Sequence, residues 1–134
     1  MKCDMDLIRQ LLLNLEENES FNGAQWMVPC AKGKHEHVAI DTTEFPNFSI
    51  EQITYHIALL VNAEFVLGKK SGVSEMLLIS QLSWEGHEFL GNIKNDDVWG
   101  RTKARLHDLP GIALKAVAAI AQAEIMKKLG LTTG

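Results

Sequence analysis

The sequence predicts an α+β domain, and three observations carry that prediction. Apolar residues recur at helical spacing in three separate stretches, and caps and charge order mark two further helices. Two short apolar runs flank a polar, glycine-bounded turn, Gly68-Lys-Lys-Ser-Gly72. From residue 49 to residue 93 these pieces take the order helix, strand, tight basic turn, strand, helix. Two antiparallel strands need a helix to bury their apolar face, and here one precedes and one succeeds them. With a first helix packed across it, that order is the outline of a winged helix, or winged helix-turn-helix.

The 134 residues are 46% apolar and 22% charged, proportions of an ordinary globular domain. They exclude wholesale disorder, a collagen-like fibre and a disulfide scaffold. The expected organisation is a winged-helix-like domain over residues 1–94, with a small β-hairpin inserted at about 24–43, and a helical extension over residues 95–134 packed on the same domain. Formal charge is 13 − 17 = −4, unevenly placed. Residues 1–100 carry 7 basic and 15 acidic side chains, whereas residues 101–134 carry 6 basic and 2 acidic.

The first helix is expected over residues 5–17. Asp4 caps it, because a carboxylate accepts from the unpaired N–H groups of a first turn. Leu7, Ile8, Leu11, Leu12 and Leu15 form one stripe, and Leu13 lies off it. Residues 18–23 are a breaker-rich exit. Residues 25–30 and 37–42 read as a β-hairpin around Gly33, with Pro29 demoting the first strand to an edge. Ser49 caps a helix over residues 50–63, with Ile50, Ile53, Ile57, Leu60 and Val61 on one face and Glu51, Gln52, Tyr55, Leu59 and Asn62 on the other. Strands are expected at residues 65–67 and 75–82. Ser83 caps a helix whose Trp84, Phe89, Leu90 and Ile93 are expected inward.

Asn95 caps the fourth helix, which has Asp96 and Asp97 at its start and Arg101, Lys103 and Arg105 toward its end, the order that the helix dipole favours. Pro110 suits the first position of the last helix and Gly130 its exit. Ile112, Leu114, Val117, Ile120, Ile125 and Met126 point all round the axis, as in a helix buried on more than one side. Two arrangements satisfy it: a symmetric homodimer through this helix, or cover by the first and preceding helices within one chain. Lys115, Gln122 and Glu124 interrupt the apolar run and exclude a membrane span. Acids at the start of the chain exclude a signal peptide, and Cys3 and Cys30 are too few for a disulfide framework. A soluble, cytoplasmic protein with reduced thiols is expected.

The runs Met1-Lys-Cys-Asp-Met-Asp-Leu-Ile-Arg9, Tyr55-His56 with Leu59-Leu60-Val61, Leu82-Ser-Trp-Glu-Gly-His-Glu-Phe-Leu90, and Asn95-Asp-Asp-Val-Trp99 with Thr102-Lys103 resemble an uncharacterised phage- and prophage-associated family. The resemblance implies a winged-helix-like fold. Leu82-Ser83-x-x-Gly86 is also similar to the end of the wing in many winged-helix regulators; after the central helix those proteins usually have Gly, whereas this chain has Glu64.

Double-stranded DNA is the partner that this shape suggests, with a helix in the major groove and the turn on the backbone. The candidate contacts are Gln52, Tyr55 and Asn62 on the central helix and Lys69 and Lys70 in the wing. Residues 49–67 contain no Lys or Arg but do contain Glu51 and Glu64. Phosphate neutralisation must then come from Lys69 and Lys70, from Lys32 and Lys34, or from the basic C-terminal region. The competing class is a protein-interaction module, with a phage or host protein partner, that kept the fold without the nucleic-acid surface. Cys30, His35 and His37 could attract a metal, but no paired-ligand spacing accompanies them. His87-Glu88 starts like a zinc-protease motif, yet Gly91 stands where the second His would be. No nucleophile, base and oxyanion donor assemble, so neither catalytic residues nor a cofactor are expected.

Overall fold

The computed structural model describes residues 2–17, 26–28, 44–70, 77–107, 109, 111 and 113–131, the side chains of 26–28 and 70 excepted. Among these residues the chain is α+β, with five helices and a three-stranded antiparallel sheet. Two units are distinct, Met1–Gly86 and His87–Gly134. No helix of the described residues is long and apolar enough to cross a membrane.

In the first unit, α1 (Met5–Glu17) begins where the Leu7 N–H donates to Asp4 Oδ1 at 3.1 Å. Leu7, Ile8, Leu11, Leu12 and Leu15 are buried, as their spacing requires. Helix α2 (Ile50–Asn62) opens with a reciprocal cap: the Gln52 N–H donates to Ser49 Oγ at 3.1 Å, and the Ser49 N–H donates to Gln52 Oε1 at 2.8 Å. Its Ile53, Ile57 and Leu60 are buried, and α1 packs against it.

The exit of α2 sets the direction of the chain into the sheet. The Phe65 N–H donates to Leu60 O at 2.9 Å and the Glu64 N–H to Val61 O at 3.0 Å. This is the Schellman pattern, and Glu64 holds its left-handed position at φ 65°. Ser83 then ties the turn to the third helix, α3 (Trp84–Ile93). Its Oγ donates to Glu64 O at 2.5 Å and accepts from the Gly86 N–H at 3.0 Å, while its own N–H donates to Phe65 O at 3.0 Å. A Cβ at Gly86 would overlap the Phe65 carbonyl oxygen. The Ser83-x-x-Gly86 spacing is therefore a docking device: the serine supplies the three hydrogen bonds and the glycine supplies the room.

The strands are β1 (Trp26–Val28), β2 (Val66–Lys70) and β3 (Leu77–Leu82), in the order β1-β3-β2. One expectation is corrected. Gly68, Lys69 and Lys70, expected in the turn, lie in β2 opposite Ile79, Leu78 and Leu77. Pairing with β3 overrides their turn propensity, and a bulge between Leu67 and Gly68 skips Ser80. Glycine is required there, since a Cβ would stand 2.7 Å from Leu78 O and 2.8 Å from an Ile79 methyl. Residues 26–28 pair with β3, so among the described residues β1 lies at one edge of the sheet. The expected hairpin partner at residues 37–42 lies outside the described residues, as do Pro29 and the turn residues 71–76.

Trp84 is a second correction: it is 75% exposed, not inward. At 100° per residue it stands opposite the direction shared by Gly86, Phe89, Leu90 and Ile93, all of them buried. Ser83 fixes that phase. Hydrophobicity alone suggested the wrong side.

In the second unit, α4 (Asp96–Leu106) is capped by Asn95, whose Oδ1 accepts from the Val98 N–H at 3.1 Å. Val98, Trp99 and Thr102 are buried. Helix α5 (Leu114–Lys128) runs antiparallel to α4, since Asp97 meets Lys128 and Arg105 meets Glu124. It starts later than Pro110, which lies outside the described residues. Gly111, at φ 81°, cannot continue a right-handed helix, so the start moves to Leu114. The buried residues of α5 form one stripe, Leu114, Val117, Ala121 and Glu124, rather than a face all round. Ile120, Ile125 and Met126 keep partial exposure, and Gly130 at φ 72° closes the helix as expected.

Candidate nucleic-acid interface

The five residues expected to meet DNA divide between two elements. Asn62 is exposed at the last turn of α2. Tyr55 is half-buried, its ring edge-on to His56 with centroids 5.4 Å apart. Gln52 is half-buried and spends its carbonyl oxygen on the cap of its own helix, leaving only its amide N–H groups for a ligand. Among α2 residues only Glu51 and Asn62 are fully exposed, so its most accessible charge is negative. A phosphate backbone is repelled by that face.

The cations lie on the ribbon. Lys69 is exposed on β2 opposite Leu78, and Lys70 comes next, opposite Leu77, at the end of the strand toward the turn. The Lys70 side chain lies outside the described part of the structure. Among the described residues β2 lies at an edge of the sheet, and lysines there also discourage pairing with another sheet. Lys32 and Lys34 lie outside the described residues.

His56 was not among the residues expected to matter, and it organises the start of the first unit. It is buried, its Nε2 accepts from the Asp4 N–H at 2.7 Å, and its Nδ1 contacts Gln52 O at 2.6 Å. A backbone amide can only donate and a carbonyl only accept, so the network assigns the proton to Nδ1. One imidazole thus joins the approach to α1 to the first turn of α2. Its place between Ile53, Ile57 and Leu60 at helical spacing was the available signal.

Several side chains of nucleophilic or metal-ligating type hold structural roles or lie outside the described residues. Ser49 and Ser83 are helix caps. Cys3 contacts Met5 Sδ at 3.7 Å, and partial burial together with the nearby Asp4 carboxylate pushes its thiol pKa up, away from the reactive thiolate. Glu85 and Glu88 are exposed and His87 is half-buried. Cys30, His35 and His37 lie outside the described residues, among which no group of three metal-ligating side chains occurs.

In the second unit the charges pair in a pattern. Asp97 Oδ2 receives Arg101 at 3.3 Å and Lys128 at 3.1 Å. Glu124 Oε1 receives Arg105 at 3.1 Å and Lys127 at 3.7 Å. The hydrogen bond from Lys128, with help from Arg101, holds the Asp97 carboxyl below its ordinary range. Lys103 lies 5.6 Å above the Trp99 ring.

Known proteins place this α+β chain in a family. It belongs to the DUF2513 family, described as a hypothetical protein, whose model matches residues 2–113. The match ends immediately before α5. An uncharacterized protein of Haemophilus influenzae is 33% identical over 132 residues, spanning 96% of this chain and 99% of its own length. No solved structure matches.

Proposed function

We propose that residues 1–86 and the rest of α3 form a winged-helix-like fold, and that the protein is a small accessory or regulatory factor that binds double-stranded DNA. Its phage or prophage character rests on the sequence resemblance alone. The observation that carries the proposal is the placement of Lys69 and Lys70 on the β2–β3 ribbon, directly after a helix whose polar residues include Asn62 and Tyr55. Ribbon lysines neutralise phosphates, which supplies affinity without sequence choice. Asn62 and Tyr55 supply what base contact there is, while Glu51 limits how closely α2 approaches. Fluorescence anisotropy on own-locus and random duplexes over a salt series tests this. Replacing both lysines by Ala should weaken both complexes and lower the salt slope by about 2.

A second function, docking of a phage or host protein, is favoured by a different observation. Trp84 is 75% exposed beside the exposed Glu85, and exposed tryptophans anchor protein contacts. Trp84→Ala should leave DNA binding intact if DNA is the partner. Self-association through the last helix accompanies either function, supported by Leu129 and Leu131, exposed at 63% and 61%.

A further inference from the structure

We infer that the α4–α5 pair is a second phosphate-binding surface, a strip of Arg101, Arg105, Lys127 and Lys128 that grips the backbone of duplex DNA. This deepens the DNA-binding function proposed above and rests on it.

A clasp between two antiparallel helices needs one cation per carboxylate. Here each carboxylate serves two. Arg101 and Lys128 share Asp97, and Arg105 and Lys127 share Glu124. Two positive charges therefore exceed what the pairing neutralises. Glu124 is withdrawn into the helix pair with its side chain 6% exposed, while the four cations keep 42–58% of theirs in water. The negative charge of Glu124 faces inward, whereas Asp97, at 48%, is as exposed as Arg105 and sits between its two cations. Arg101 and Arg105 stand one turn apart on the same face of α4, and Lys127 and Lys128 end α5, so the excess is a strip and not scattered points. Two of the four are guanidinium forks, whose geometry suits phosphate oxygens. The carboxylates hold the cationic groups in place before a ligand arrives, which lowers the ordering cost of binding.

Arg105 must be left in place, because removing it would strand the buried Glu124 carboxylate. Arg101, Lys127 and Lys128 can be changed, since Asp97 is solvated and Glu124 keeps Arg105. The full-length triple variant Arg101→Gln, Lys127→Gln, Lys128→Gln is compared with wild type and with Lys69→Ala, Lys70→Ala on a random duplex over a salt series. The expected result is a salt slope smaller by about 2 to 3, together with weaker binding to own-locus and random duplexes alike. A measurement without substitutions accompanies it: duplex DNA should protect Lys127 and Lys128 of the wild type from acetylation. Wild-type slope in the triple variant, or acetylation of both lysines unchanged by DNA, overturns the strip. If the wing variant loses affinity at the same time, DNA binding by the ribbon stands and only the strip falls. Failure of the wild type to bind any duplex at low salt overturns both. Polyglutamate competing as well as duplex overturns the strip as a nucleic-acid surface and marks an acidic protein instead.

Discussion

Glu64 occupies a backbone conformation that glycine adopts more cheaply. Gly130 shows the alternative in the same chain, with an equivalent pattern: its N–H donates to Lys127 O and that of Leu131 to Met126 O. A left-handed conformation costs an L-residue about 1–2 kcal/mol, against about 0.4–1 kcal/mol for the extra freedom of glycine in the unfolded chain. Glu64→Gly should therefore raise stability in urea by about 0.5–1 kcal/mol. A loss would mean that the Glu64 side chain contributes more than its backbone costs. Gly86→Ala should cost about 3 kcal/mol or more, because neither the Phe65 carbonyl nor the helix start can give way alone. The tryptophans should separate as sharply: Trp99→Ala costs about 3–5 kcal/mol, while Trp84→Ala stays within about 0.5 kcal/mol of wild type. The caps Asp4, Ser49, Ser83 and Asn95 were legible in the sequence because each precedes an apolar-periodic run. The hydrogen bond from Ser83 to Glu64 O was not, since nothing local shows that residue 83 returns to residue 64.

Helices read better than strands, for a physical reason. The stripes of α1 and α2 repeat every three or four residues, and burial of Leu7, Leu11, Ile53, Ile57 and Leu60 results directly. Ile57→Ala should cost about 2–5 kcal/mol by equilibrium unfolding; a loss within the range of surface changes would contradict the burial of that face. Strand extents depend on partners far away in sequence, so the pairing of β1 with β3 and the continuation of β2 through Gly68 and Lys69 were hidden. In α5 the count of apolar residues pointed all round, whereas the buried stripe is narrow and includes Glu124, a position that Arg105 and Lys127 make tolerable. The Asp97 cluster carries a pH dependence whose sign is fixed. Its folded pKa is lowered, so its contribution is present above the ordinary carboxylate range and is lost as pH falls through the lowered value. Thermal melts should show a shallower acid limb for Asp97→Asn than for wild type. An unchanged acid limb would mean that its pairs with Lys128 and Arg101 add nothing in solution.

At the scale of the molecule, charge is partitioned along the chain. Residues 87–134 carry 7 basic and 5 acidic side chains, while residues 1–86 carry 6 basic and 12 acidic. That contrast was readable in the composition, and with it the expectation that phosphate contacts come from outside the central helix. What composition could not show is that the cations of the second unit are doubled on two carboxylates, because pairing is a property of the α4–α5 geometry. Self-association belongs to this scale too. Sedimentation equilibrium at micromolar concentration should give a dimer, and Leu129→Gln with Leu131→Gln a monomer; a monomeric wild type would return α5 to its own chain. The central claim is that DNA is held by cations on the ribbon and not by α2. The salt dependence of duplex binding, measured on the wild type and on Lys69→Ala, Lys70→Ala, tests it most directly. The expected result is a salt-dependent wild-type complex whose slope falls by about 2 in the variant. An unchanged slope in the variant, or a wild type that binds no duplex at low salt, would contradict it.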